Sequence, residues 1–199
     1  MRELLPGVFT WSSFSPPHGY DFNGYFLALP GGNLCIDPAD APPEALAELA
    51  RRGVARILLS NRNHVRDANR VRSRTGARAA IHPADAAYAR GQGAEIDDEL
   101  QVGEHIGPLV VVGVAGKSPG EVAFHWPARR ILIVGDAVVG NPPGQCALLR
   151  DKVMDDPAQL RASVRRLLEL DFDTLLVGDG APILVGAKDR LRDLVETFG

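Results

Sequence analysis

Cysteine is scarce in this sequence, and long apolar runs are absent. The two cysteines, Cys35 and Cys146, stand apart in the chain, and neither belongs to a CxxC or CxxxH pattern. A disulfide-stabilised secreted fold is therefore disfavoured, and reduced thiols favour a cytoplasmic location. The opening MRELLPGVFTW lacks the apolar core of a signal peptide. No run approaches the ~18 apolar residues of a membrane span, so we expect no membrane partner.

Excess positive charge is also lacking. The net charge is −3, which disfavours a nucleic-acid partner, because binding to phosphates needs a basic surface. Residues 50–78 are the local exception, with nine arginines and a single acid, Asp67. This segment is either a solvated helix face or a basic rim that attracts an anionic ligand. Asp67 itself is expected to stabilise the first turn of a helix through the helix dipole.

The pattern of apolar residues predicts an α/β protein with layered sheets. Helices are predicted at 40–52, 65–75, 83–90, 156–170 and 186–199. Strands are predicted at 8–11, 24–29, 34–36, 56–59, 79–81, 109–114, 122–125, 131–134 and 174–177. No linker or repeat interrupts this alternation, so residues 1–199 are interpreted as a single domain.

Several predicted strands end in a polar residue that is followed by a loop. The polar residues at these strand ends are Asp37, Asn61, His82, Asp136 and Asp179. In α/β folds the carboxyl ends of strands converge on a ligand crevice, although Asp and Asn also favour turns in their own right. Taken together, the five strand ends predict one pocket.

Four stretches resemble the metallo-β-lactamase superfamily: ILLSNRNHVRDANR, GKSPGEVAFHW, ILIVGDAVVG and LLVGDGAPI. The resemblance runs in order along nearly the whole chain. It implies a four-layer αββα sandwich, in which two mixed β-sheets are flanked by helices and the active site lies at one edge between the sheets. It also implies a hydrolase that uses zinc or another metal to cleave an ester, thioester, amide or phosphodiester.

The metal ligands of that family are mostly replaced here. The four ligand positions of the first loop fall on Asn61, Asn63, Val65 and Arg66, the histidine of the SPG loop falls on Lys117, and the histidine of the late turn falls on Asp179. The bridging aspartate is kept as Asp136, and Asp37 resembles a supporting carboxylate behind the site. Amides are weak metal ligands, valine is none, and Lys and Arg are cations at neutral pH.

The leading hypothesis is therefore a degenerate, metal-free site. The resemblance places Lys117 and Arg66 where metal ions would lie, so that they neutralise Asp136 and Asp179. Lys117 would act as electrophile and Asp136 or Asp179 as base in any metal-independent hydrolysis. The predicted ligand pocket for a small molecule, with an anion favoured, contains Asn61, Asn63, Arg66, His18 and Tyr20. No cofactor is predicted.

Three alternatives stay open. The first is a metal-dependent hydrolase with one zinc, iron or manganese ion on Asp136, Asp179 and His64, although the family pattern makes His64 a spacer that points away from the site. The second is a non-catalytic interaction scaffold. The third concerns Asn61 and Asn63 alone, which are explained equally well as caps of a helix that begins near Val65. No Ser-His-Asp or Cys-His nucleophile is predicted.

Overall fold

A computed structural model of the chain describes residues 1–199. Its internal contacts divide the chain into two compact units, Met1–Leu100 and Gln101–Gly199. Each unit contains one β-sheet and its own helices. The prediction of a single domain stays a prediction. None of the helices has the length and apolar character needed to cross a membrane.

The first unit is a seven-stranded mixed sheet whose strand order follows the chain. Its strands are β1 (Arg2–Leu5), β2 (Val8–Ser15), β3 (Tyr20–Leu27), β4 (Leu34–Ile36), β5 (Arg56–Leu59), β6 (Arg78–Ile81) and β7 (Asp98–Glu99). The first four strands pair antiparallel, and the pairs from β4 to β7 are parallel. The parallel connections contain α1 (Pro43–Arg52), α2 (Ala68–Thr75) and α3 (Pro83–Gly91).

The second unit is a five-stranded mixed sheet of order β12-β11-β10-β9-β8. Its strands are β8 (His105–Ile106), β9 (Leu109–Gly113), β10 (Val122–Trp126), β11 (Ile131–Val134) and β12 (Thr174–Val177), and its helices are α4 (Pro157–Leu167) and α5 (Ala187–Glu196). Strands β11 and β12 run parallel, with Val134 opposite Val177. This register brings the segments that follow the two strands to the same edge of the sheet.

The fold class predicted from the sequence is confirmed as α/β, with two mixed sheets flanked by helices. Four predicted strands have the observed bounds: β4, β5, β11 and β12. Their apolar runs end abruptly at polar or glycine residues, because all four strands are buried on both faces. Asp156 caps α4 as expected, since its side chain accepts a hydrogen bond from the Gln159 N–H at 2.9 Å.

Several arginines of the arginine-rich segment form ion pairs within the first unit. Ion pairs join Arg52 to Glu48, Arg70 to Asp67, Arg72 to Glu95 and Asp97, and Arg78 to Asp98. Most of these pairs are partly exposed to solvent, so each is worth only a fraction of a kcal/mol. This pairing supports the solvated helix face over the basic rim as the reading of residues 50–78.

Asp97 is the most strongly held carboxylate of this arginine cluster. It accepts two hydrogen bonds from Arg72, at 3.0 and 2.8 Å, and one from the Ala79 N–H at 2.9 Å. The Arg72 guanidinium, followed by the backbone N–H, holds the pKa of Asp97 well below its usual range. Asp97 thereby connects α2 to β6.

Replacing Asp97 by asparagine should lower the free energy of unfolding by about 1 kcal/mol at pH 7. Because the folded-state pKa is depressed, this contribution is complete above pH ~4 and is lost as the pH falls toward the depressed value. The difference from the wild type should therefore shrink in acid, as measured by denaturant unfolding at pH 7 and pH 3. Asp193→Asn, which breaks an exposed pair with Arg190, is the control. Equal losses of unfolding free energy in Asp97→Asn and Asp193→Asn would contradict the conclusion that Asp97 is the more strongly held carboxylate.

Candidate functional site

A buried ion pair joins Lys117, in the turn between β9 and β10, to Asp136, just after β11. The Lys117 Nζ lies 3.0 Å from the Asp136 Oδ2, and the two side chains are only 8% and 6% exposed. Buried charges of this kind persist only when they are paired. The sequence predicted this pairing, and the structure contains it.

Backbone contacts hold the turn that carries Lys117 against the start of α4. The Gly116 carbonyl accepts from the Asp156 N–H at 2.8 Å, and the Lys117 carbonyl accepts from the Asp155 N–H at 3.3 Å. Gly116 has φ +143°, and a Cβ there would lie 2.3 Å from the Leu160 backbone nitrogen. Only glycine fits this approach, so the position of Lys117 depends on close packing beneath it.

Asp179 lies at the same sheet edge as Asp136, because each residue comes two positions after the paired residues Val177 and Val134. Its side chain is buried, and its carbonyl accepts from the Gly140 N–H at 2.9 Å. Gly180 follows with φ +89°, and a Cβ there would lie 2.5 Å from the Gly140 carbonyl oxygen. A glycine is therefore required immediately after Asp179, and this fixes the turn.

A second buried network forms where β4 and β5 end. Asp37 has an unusual φ of +46°, which aims its carboxylate at the turn that follows β5. The carboxylate accepts from the Ser60 N–H at 2.7 Å, the Ser60 hydroxyl at 2.5 Å and the His64 Nδ1 at 2.8 Å. Asp37 thus holds Ser60 and His64 in place, and its predicted role behind a functional site stays a prediction.

The Asp37 contact decides the tautomer of His64. An ionised carboxylate only accepts hydrogen bonds, so the His64 Nδ1 carries a proton in this contact. His64 is fully buried. The expectation that His64 points away from the site stays a prediction.

Two serines near these residues do not form nucleophile sites. Ser60 has both His64 and Asp37 as partners, but its hydroxyl donates to the carboxylate and lies 3.2 Å from the Nδ1 rather than the Nε2. Ser118 lies in GKSPG, which has the GxSxG spacing, yet it is fully buried in the segment between antiparallel strands β9 and β10. A nucleophile elbow needs an exposed serine between a strand and a helix.

The asparagines of the first loop shape a turn and do not cap a helix. Asn61 is fully buried, and its Oδ1 accepts from the Asn63 N–H at 2.8 Å, which is an Asx turn. Helix α2 begins only at Ala68, so the cap predicted near Val65 is wrong. Asp67 precedes that helix without capping it, and its carboxylate accepts from the Ala41 N–H at 2.8 Å and from Arg70.

The predicted pocket residues His18, Tyr20 and Arg66 are joined through Phe22, which the sequence reasoning missed. The His18 ring centroid lies 5.7 Å from that of Tyr20 and 5.2 Å from that of Phe22. The Arg66 guanidinium lies 4.1 Å from the Phe22 ring centroid, a cation–π distance. Alternation along β3 was the available signal, because Tyr20 and Phe22 share one face of the strand.

The first-loop residues that the resemblance aligns with family metal ligands are poor metal ligands by their chemistry. Val65 has no ligand atom, Arg66 is a cation, and the amides of Asn61 and Asn63 are weak ligands. The carboxylates of Asp136 and Asp179, which lie at one sheet edge, are donors that suit zinc, iron or manganese. The Lys117 ammonium, however, lies on an Asp136 oxygen that such an ion would need.

Known proteins of one family are similar in sequence to most of this chain. A family model described as the Metallo-beta-lactamase superfamily matches residues 1–198. The hydroxyacylglutathione hydrolase of Fuscovulum blasticum is 28% identical over 191 residues, which cover 84% of this chain and 71% of that enzyme.

Solved structures agree with this family match. The chain in the crystal structure of TTHA1623 in a di-iron-bound form is 26% identical in sequence to this chain. Its TM-score is 0.69, and the match covers 91% of this chain and 98% of that chain. A metallo-β-lactamase from Pontibacter korlensis, 15% identical, has a TM-score of 0.80 over 98% of this chain and 97% of its own. At that identity the second match shows the fold.

Proposed function

Because the chain belongs to the metallo-β-lactamase superfamily, we propose that it is a hydrolase-like protein in which the Lys117 ammonium takes the place of a metal ion. It binds a small ligand, with an anion favoured, and any hydrolysis it performs is independent of metal. The observation that carries this proposal is the ion pair of 3.0 Å between the Lys117 Nζ and the Asp136 Oδ2.

The chemistry of this pair supports acyl transfer to water. An ammonium has three N–H donors, and Asp136 accepts one of them. The others can bind the oxygen on which charge develops when water attacks an ester or thioester carbonyl. Asp179 would accept the proton from that water, the bond from carbon to the leaving group would break, and the leaving alcohol or thiol would take the proton. Lys117 and Asp179 are then the catalytic residues, and Asp136 positions Lys117.

The ligand pocket is proposed from the first loop and the β2–β3 hairpin. Arg66, packed on Phe22, and the rings of His18 and Tyr20 provide one cation and an aromatic surface. Asn61 and Asn63 shape the adjacent turn. An acyl thioester with an anionic portion matches this combination, and a similar protein is named hydroxyacylglutathione hydrolase.

A second candidate is a metal-dependent hydrolase with one ion held by His64, Asp136 and Asp179. Two buried carboxylates at one sheet edge, Asp136 and Asp179, favour it. Those three residues would hold the ion, which would supply Lewis-acid activation of water when bound. Lys117 would have to leave Asp136 for this candidate to operate.

Activity and metal content distinguish the two candidates. Protein purified without chelator should contain much less than one metal ion per chain, and its activity on ester, thioester and phosphodiester substrates should be unchanged by EDTA. Lys117→Ala should reduce kcat by about 100-fold, the effect of losing one oxyanion donor, whereas Lys152→Ala, at an exposed position, should not. A stoichiometric metal ion that is lost in Asp136→Ala, together with EDTA-sensitive activity, would support the second candidate instead.

A further inference from the structure

We infer that Ser15 and His18, at the end of the β2–β3 hairpin, form a nucleophile and base that take an acyl group from an activated ester or thioester. Both residues belong to the first unit. The inference is independent of the proposed function, because the acylation needs neither Lys117 nor Asp136.

A short contact joins the two side chains. The Ser15 Oγ lies 2.7 Å from the His18 Nδ1, within the reach that a base needs to take a hydroxyl proton. The backbone of the turn holds this geometry, since the Ser15 carbonyl accepts from the His18 N–H at 3.1 Å and from the Gly19 N–H at 2.9 Å. Gly19 has φ +77°, a conformation that favours glycine. The turn therefore fixes the imidazole beside the serine hydroxyl.

The pair lies in a part of the hairpin that has no neighbouring strand in the sheet. Strand β2 pairs with β1 only up to Thr10, and β3 pairs with β4 only from Tyr25 onwards. Residues 16–19 are all exposed. Ser15 itself keeps 9% of its surface exposed, so an acyl donor would approach its hydroxyl from the side of this turn.

Aromatic rings flank the base. The ring centroid of His18 lies 5.7 Å from that of Tyr20 and 5.2 Å from that of Phe22. These contacts limit rotation of the imidazole away from Ser15, and the two rings provide an aromatic surface next to it. Because aromatic groups pack favourably on one another, the surface favours acyl donors that carry an aryl group.

The acylation step is balanced within this pair. With the ring proton on the Nε2, the His18 Nδ1 accepts the proton of the Ser15 hydroxyl. The Oγ forms a bond to the carbonyl carbon, the bond to the leaving oxygen or sulfur breaks, and the imidazole returns the proton to the leaving alcohol or thiol. Pro16 and Pro17 have no N–H to donate to the developing oxyanion. Only donors with a good leaving group are therefore expected to react.

Reaction of the whole chain with p-nitrophenyl benzoate tests the inference. We expect a burst of p-nitrophenolate of about one equivalent per chain, the kinetic sign of a covalent acyl product, and a benzoyl ester on Ser15 in peptide mass spectrometry. His18→Gln should slow the burst by about 100-fold, the usual contribution of a positioned base. Ser13→Ala removes a hydroxyl from the same face of β2 and should react as the wild type.

Further variants separate loss of the nucleophile from loss of the fold, which the melting temperature of each variant monitors. Ser15→Ala should lose the burst. Ser15→Cys keeps a nucleophile of similar size beside His18 and should carry a benzoyl thioester at that position, a result that decides the matter if Ser15→Ala does not fold. Benzoyl groups found only on lysines, or a folded His18→Gln variant that reacts as fast as the wild type, would overturn the inference.

Discussion

Replacing Lys117 by methionine is expected to lower the free energy of unfolding by about 3–5 kcal/mol, the usual cost of removing one member of a buried ion pair. Methionine keeps the length of the side chain and most of its apolar contacts. The loss of unfolding free energy therefore measures the cost of leaving the Asp136 carboxylate buried without the ammonium. In the wild type the Lys117 Nζ lies 3.0 Å from the Asp136 Oδ2. Denaturant unfolding in EDTA gives the value without a contribution from bound metal.

The double variant Lys117→Met/Asp136→Leu separates charge from packing. An apolar pair of similar volume often replaces a buried ion pair at little cost, so the double variant should be more stable than Lys117→Met. A coupling free energy of about 2 kcal/mol or more is expected from the cycle. A Lys117→Met variant as stable as the wild type would mean that Asp136 does not need the ammonium. Lys152→Met serves as the exposed control.

Much of the fold follows from local sequence, because the central strands are buried on both faces. Runs such as Ile131–Val134 are apolar throughout and stop at a glycine or polar residue, so their bounds can be predicted. The two-residue strands β7 and β8 carry no such run and were missed. They exist through pairing with β6 and β9, a tertiary effect that local propensity does not contain.

The site was predictable where strand ends position it. Asp136 and Asp179 follow paired parallel strands, so a pattern of apolar runs and acidic ends was sufficient to place them together. The contacts of His64 depend on Asp37, whose backbone has φ +46°. Aspartate adopts that conformation only in a minority of cases. No sequence pattern near Ser60 or His64 predicts this backbone conformation of Asp37.

Asp37 is the residue whose loss should have the largest effect on the first-loop network. Asp37→Ala removes the acceptor of three hydrogen bonds, from the Ser60 N–H, the Ser60 hydroxyl and the His64 Nδ1. Each buried donor left without an acceptor costs about 1–3 kcal/mol, so a total of about 3–5 kcal/mol is expected by denaturant unfolding. Asp40→Ala, an exposed change in the same loop, should have almost no effect.

Asp37→Asn is the sharper variant, because it keeps the shape and changes the direction of one hydrogen bond. If the amide nitrogen faces the His64 Nδ1, it donates where the carboxylate accepted, and the proton of the neutral imidazole must move to the Nε2. Nitrogen-15 NMR of the histidines should show this exchange of tautomers for His64. An unchanged tautomer in a folded Asp37→Asn variant would show that Asp37 does not hold the proton on the His64 Nδ1.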